Sequence, residues 1–141
     1  MKLQKNTLFA LYSVLESASR PQRQLSAGEI ARKYGISPHH LAKVLHTLAR
    51  AGVVESVRGV GGGYRFAGNA KRLTLMDVIE LFENISAPGR AGAPRRRRRG
   101  AEAGAERALG SVLAEIDEIA KATFRSISIA TMLKLVGRRR A

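Results

Sequence analysis

The sequence predicts a mainly α-helical fold that carries one small β-hairpin and ends in a long helix. Three observations predict it. Apolar residues recur at helical spacing in residues 5–19, 26–35, 38–51, 73–83 and 105–123. Residues 53–57 and 64–66 are β-prone and flank GVGGG, four glycines in the five positions 59–63, as in a hairpin with a loose tip. The second and third helical stretches are joined by a turn of a few residues and run straight into the hairpin. That order is a helix-turn-helix with a wing.

The composition fits this reading. The chain has 141 residues, 45% of them hydrophobic, enough for one compact domain with an accessory element. Aromatics are only 5%, so the core must be built from Leu, Ile, Val and Ala. Twenty-five basic against 11 acidic residues give a net charge of +14. Such a charge attracts polyanions, nucleic acid first and an anionic membrane surface second. No apolar run of about 18 residues is present, so no spanning helix is expected. The start, MKLQKNTLFALYSVLE, turns acidic at Glu16 and lacks a small-residue cleavage site, so it does not read as a signal peptide; a soluble cytoplasmic protein fits. The chain has no cysteine, which excludes disulfides, thiol catalysis and cysteine-held zinc or iron–sulfur centres.

Each element has its own warrant. In the first helix Leu8, Phe9, Leu11, Tyr12, Val14, Leu15 and Ala18 form one broad apolar face, and Pro21 stops it. Residues 21–24 read as a loop. Ser26 and Glu29 have the spacing of a capping box for the second helix, and Gly35 suits a left-handed C-terminal cap. Ile36 seals the turn. Ser37 is a candidate N-cap for the third helix, with Pro38 preset for its first turn. Leu41, Val44, Leu45 and Leu48 then face inward and Gly52 ends the helix. In residues 73–83 Thr74 is a cap, with Asp77 three residues on, and Leu75, Val78, Ile79 and Phe82 pack on the domain. Residues 86–104 change to Pro, Gly, Ala and Arg without a large apolar residue, the composition of a disordered loop.

The last part returns to helix. Ala105, Leu109, Val112, Ile116, Ile119 and Thr123 make a heptad-like seam, too short for a secure coiled coil. Ala108, Leu113, Ala120, Phe124 and Ile127 make a second stripe. One stripe is expected to pack on the chain's own body and the other on a second copy. A shorter apolar segment, 128–136, and a charged tail containing Arg138, Arg139 and Arg140 follow. The expected organisation is therefore a winged unit at 1–84, a loop at 85–104, a dimerisation helix and terminal helix at 105–136, and a basic tail at 137–141.

The third helix offers a candidate site. Opposite its apolar stripe lie His39, His40, Lys43 and Thr47, with Ser37 at the start and Arg50 at the end. These types suit base-edge and phosphate contacts in a DNA major groove, although periodicity alone favours an ordinary solvated helix face. A metal site is a poor match for His39, His40 and His46, whose one-turn neighbours are cations. The glycine tip is not a phosphate-binding loop: no Gly-Lys-Ser/Thr follows, and it leads into a strand. Arg95 to Arg99 read as a solvated charge run that adds nonspecific nucleic-acid affinity. No catalytic constellation is visible, and Glu115, Asp117 and Glu118 fall on a solvated helix side, so an enzyme is not expected.

The stretch GISPHHLAKVLHTLARAGVVESVRGVGGGYRF resembles the Rrf2 family of bacterial winged helix-turn-helix transcription regulators. The resemblance rests on Gly35-Ile36-Ser37, Leu41, Leu45, Leu48, Ala51 to Val54, and Val57-Arg58-Gly59 followed by Gly62-Gly63-Tyr64. It covers residues 1 to 84, and the long helix fits in position and length. It implies a DNA-binding homodimer crossed through its long helices, a palindromic operator and, in most members, repression. It gives Ser37, His39, His40, Lys43 and Thr47 to the major groove. It gives Arg58, with Gly59, Gly61, Gly62 and Gly63, to a wing in the minor groove. Lys2, Lys5 and Arg50 fall to phosphate, and Leu109, Val112, Ile116, Ile119 and Thr123 to the dimer interface. Many members hold an iron–sulfur cluster on three cysteines before the long helix. This chain has none, so no cofactor is expected, which leaves either an unidentified small-molecule effector or no sensor at all. Members also often carry tyrosine where this chain has His40 and glutamate where it has Ala42, so their base preference does not transfer. The alternative is a basic protein that grips DNA or RNA without reading bases.

Overall fold

The computed structural model describes residues 3–59, 62–83 and 100–140. Helices α1 (Lys5–Ser19), α2 (Ala27–Tyr34) and α3 (Pro38–Arg50) are followed by strands β1 (Val54–Val57) and β2 (Gly63–Phe66). Then come α4 (Leu75–Ile79), the long α5 (Ala101–Ser126) and α6 (Ile129–Arg140). The architecture is the mainly α winged helix-turn-helix with a long C-terminal helix.

One apolar core joins these elements. Ala10 and Val14 of α1, Ile30 of α2 and Leu41, Val44, Leu45 and Leu48 of α3 are buried in it. Val54, Phe66, Val78 and Ile79 add the strands and α4, and Ile129 at the start of α6 is fully buried. Each large aliphatic side chain buried here contributes about 2 kcal/mol. The short α2 is held this way, since eight residues form no stable helix alone.

The caps explain several boundaries. The Ser26 hydroxyl accepts from Glu29 N–H at 3.1 Å, and Gly35 takes the left-handed conformation at φ 64°. The other half of that capping box is not made: the Glu29 carboxylate turns to Arg23, 3.6 Å away. Ser37 makes no side-chain cap bond, so Pro38 starts α3 by its preset φ alone. Thr74 and Asp77 form the full reciprocal box. α4 is nevertheless shorter than its periodicity, because residues 81 and 82 tighten to i→i+3 bonds such as Phe82 N–H to Ile79 O at 3.1 Å.

The hairpin pairs Val54 with Phe66, Glu55 with Arg65, Ser56 with Tyr64 and Val57 with Gly63. A third piece of strand joins it. Leu25, directly after the stretch read as loop, exchanges two hydrogen bonds of 2.8 Å with Tyr64. A Cβ on Gly63 would lie 2.5 Å from Leu25 O, so this close approach requires glycine.

α5 begins at Ala101, so residues 101–104, which composition places in the loop, are helical. Helix also continues through Arg138, Arg139 and Arg140, which composition reads as a tail. Segment 84–99, with Arg95 to Arg99, lies outside the described residues. At α5–α6 the chain extends at Ile127, and Leu75 N–H donates to Ile127 O at 2.9 Å while Ile129 N–H donates to Leu73 O at 2.8 Å. These bonds fix the end of α5 against α4. Among the described residues, that end is the part of α5 that packs on the core. Phe124 and Ile127 of the second stripe touch the core, whereas Leu113 is 51% exposed.

Candidate DNA-binding surface

α3 presents two opposite faces. Leu41, Val44, Leu45 and Leu48 are all buried to at least 99%. His39, His40, Lys43, His46 and Arg50 are exposed. The buried stripe fixes the rotation of α3 about its axis, so the polar face must point outward. His39 and His40 lie side by side, with ring centroids 6.4 Å apart.

Ser37 is exposed at the start of this face. Since it caps nothing, its hydroxyl stands ready for an outside acceptor or donor. Thr47 is half-buried, and its hydroxyl donates to Lys43 O at 3.2 Å, which leaves its oxygen lone pairs for a donor. Lys5 is exposed in the first turn of α1. Lys2 lies outside the described residues.

Arg65 is paired with Glu55 across the hairpin, so that guanidinium is engaged. Arg58 follows β1 directly and is exposed. Gly59 has φ 114°, a conformation that side chains rarely adopt, and Gly62 N–H donates to Gly59 O at 2.9 Å. A Cβ on Gly62 would lie 2.6 Å from Val57 O. Gly59, Gly62 and Gly63 thus build the turn and its contact with Leu25. Gly61 lies outside the described residues.

Away from α3, the seam residues Leu109, Val112, Ile116 and Ile119 are 51–63% exposed, and Thr123, also exposed, bonds back to Ile119 O at 2.9 Å. Sequence reasoning did not find the acid Glu16 on α1. It accepts from Lys33 Nζ at 2.8 Å and from the Tyr34 hydroxyl at 2.8 Å, which ties α2 to α1. Burial pushes the Glu16 carboxyl up, but these hydrogen bonds and the Lys33 and Arg20 charges outweigh it, and the group titrates below its ordinary value. Its position among apolar residues gave no periodic signal.

Among the described residues no helix is long and apolar enough to cross a membrane.

Comparison with known proteins agrees with this architecture. The profile of the Rrf2 family, described as iron-dependent transcriptional regulators, matches residues 3–135. The chain is 54% identical over 136 residues to BadM of Rhodopseudomonas palustris, which carries the name of a helix-turn-helix-type transcriptional regulator. The match covers 96% of this chain and 83% of that protein. Among solved structures, IscR of T. potens superposes with a TM-score of 0.78 at 22% identity, covering 100% of this chain and 92% of that one. CymR of B. subtilis, a global cysteine regulator, superposes with a TM-score of 0.72 at 22% identity, over 96% of this chain and 98% of that one. These two show the fold.

The iron of the family description finds no matching donors. The chain has no cysteine to supply thiolates. No group of three His, Asp or Glu side chains among the described residues is placed to hold a metal ion. The residues do not fit a bound cluster. With a family match over nearly the whole chain and a relative that shares more than half of its residues, this chain belongs to the Rrf2 family of transcriptional regulators.

Proposed function

We propose that the protein is a sequence-specific repressor that binds a palindromic operator as a homodimer in the cytoplasm, without an iron–sulfur cluster and without catalysis. One observation carries the reading. The exposed face of α3 is a row of imidazole, ammonium and hydroxyl groups held at fixed rotation by a fully buried apolar stripe. Such a helix enters a major groove with its first turns at the base edges. Ser37, His39, His40, Lys43 and Thr47 contact bases and adjacent phosphates. Arg58 on the wing reaches the flanking minor groove, whose narrow parts concentrate negative potential. Lys2, Lys5 and Arg50 bind phosphate.

The second copy is called for by α5. Leu109, Val112, Ile116, Ile119 and Thr123 line a seam along a helix of 26 residues, about 39 Å long. An apolar strip of this kind is stable in water when a second one covers it. Two crossed α5 helices would set two α3 helices on one side of a duplex, about 34 Å or a multiple of that apart.

The net charge of +14 supports a second reading, a protein that grips nucleic acid without reading bases. Selection of fragmented genomic DNA by the purified protein at about 150 mM salt separates the two, because electrostatic binding alone is weak there. Recovery of a few fragments sharing a palindrome is expected. Uniform recovery would replace the regulator reading with the nonspecific one.

A further inference from the structure

A cavity of about 590 Å³ lies between α1, the end of α2 and α6. Its size is that of a site for a small organic molecule. Leu15, Met132, Leu133 and Val136 give it apolar walls, and Tyr12 and Tyr34 close one side. These two rings are stacked 5.0 Å apart and only 7° from parallel, a stiff flat wall. Lys33, Arg20 and Glu16 stand at the same cavity.

The charges there do not cancel. Lys33 is committed to Glu16, with Nζ 2.9 and 2.8 Å from its two carboxylate oxygens. Arg20 is exposed and has no carboxylate partner among the described ion pairs. The cavity therefore combines an apolar interior with two cations against one carboxylate, and the Arg20 guanidinium is the one outside the described ion pairs. That combination suits an anion with an apolar body, its carboxylate paired with Arg20 and its hydrocarbon among Leu15, Leu133 and Val136.

We infer that this cavity is a binding site for a monocarboxylic acid of medium hydrocarbon size, and that its occupancy is the signal the protein responds to. The walls make the coupling direct. Tyr34 and Lys33 belong to α2, the first helix of the helix-turn-helix. Met132, Leu133 and Val136 belong to α6, which continues from the long α5. A ligand wedged between them changes how α2 and α3 sit relative to α5, and so the spacing of two α3 helices in a dimer. The second part rests on the regulator reading above; the first does not.

Titration calorimetry of the full-length protein with octanoate tests the site. Octanoate is expected to bind, octanamide (the same body without the charge) at least tenfold more weakly, and acetate not at all. Arg20→Ala is expected to lose about tenfold in octanoate affinity and to leave octanamide unchanged. Val136→Trp fills the cavity and should abolish binding of both; if that variant fails to fold, the Arg20→Ala comparison still decides. Absence of octanoate binding overturns the inference, including the case in which the α5 helix of a second copy already covers the cavity. Equal binding of octanoate and octanamide overturns the role of Arg20. Saturating octanoate should then change operator affinity at least fivefold, with no such change in Arg20→Ala at the same concentration. Octanoate that binds but leaves operator affinity unchanged overturns the signal and keeps the site. A protein that binds octanoate yet selects no DNA sequence condemns the regulator reading instead.

Discussion

Glu83 and Thr7 are 76 residues apart in the chain and one hydrogen bond apart in space: the Thr7 hydroxyl donates to Glu83 Oε1 at 2.9 Å. The same oxygen accepts from Gln4 N–H at 2.6 Å. Gln4 itself makes no side-chain cap bond at the start of α1. A distant carboxylate thus serves as the N-terminal cap, where the helix dipole favours negative charge. Glu83→Ala should destabilise the fold by about 1–2 kcal/mol, the usual cost of a lost cap or charged hydrogen bond. Urea unfolding reads this directly, and a loss below about 0.3 kcal/mol would mean that the cap contributes nothing.

Two glycine substitutions should have opposite signs. At Gly63 an added methyl meets Leu25 O at 2.5 Å, so Gly63→Ala should cost about 1–3 kcal/mol by forcing the backbones apart. At Gly104 the same methyl meets nothing within 4 Å on a helix. Gly104→Ala should therefore stabilise by about 0.5–1 kcal/mol. Thermal unfolding of the two variants checks both signs.

Glu16→Gln removes a charge that Lys33 and Tyr34 hold in place. Lys33 is 39% exposed, so screening reduces its share, and the expected loss near neutral pH is about 1–2 kcal/mol. Its pH dependence has a definite sign. A carboxyl held below its ordinary value stabilises the fold fully above that value, and the contribution disappears as pH falls through the lowered one. The gap between wild type and Glu16→Gln should therefore close on acidification below about pH 4. A gap that widens there would contradict the assignment.

Lys43 separates base reading from phosphate binding. Lys43→Ala should weaken operator binding by about 1–3 kcal/mol while affecting random DNA less. Equal losses on both, measured by titration at fixed salt, would make Lys43 a phosphate contact.

The exposed seam gives the oligomer test. Val112 and Ile116 are 51% and 53% exposed and lie on one face of α5. Replacing both with glutamate should leave the fold intact, since neither belongs to the core, and should give a monomer in sedimentation equilibrium. A persisting dimer would place the interface elsewhere.

Local chemistry alone determined a good deal of this protein. The 3.6-residue spacing of Leu41, Val44, Leu45 and Leu48 dictates which face of α3 is buried, and hence that His39, His40 and Lys43 are outside. Gly35, Thr74-Asp77 and the glycine-flanked hairpin are local signals for caps and turns. Absence of cysteine leaves no thiolate to hold a cluster. Only the tertiary structure decided the rest, because those interactions join residues far apart in sequence. The Leu25–Tyr64 bridge needs a strand brought in from before α2, and no pattern in one residue announces its partner. Glu83 became a cap and Glu16 an anchor because packing set a carboxylate beside remote donors. The cavity exists because α6 folds back beside α1 and α2 through the buried Ile129. Its apolar walls look in sequence like ordinary core positions, and only their spacing in three dimensions leaves room for a guest.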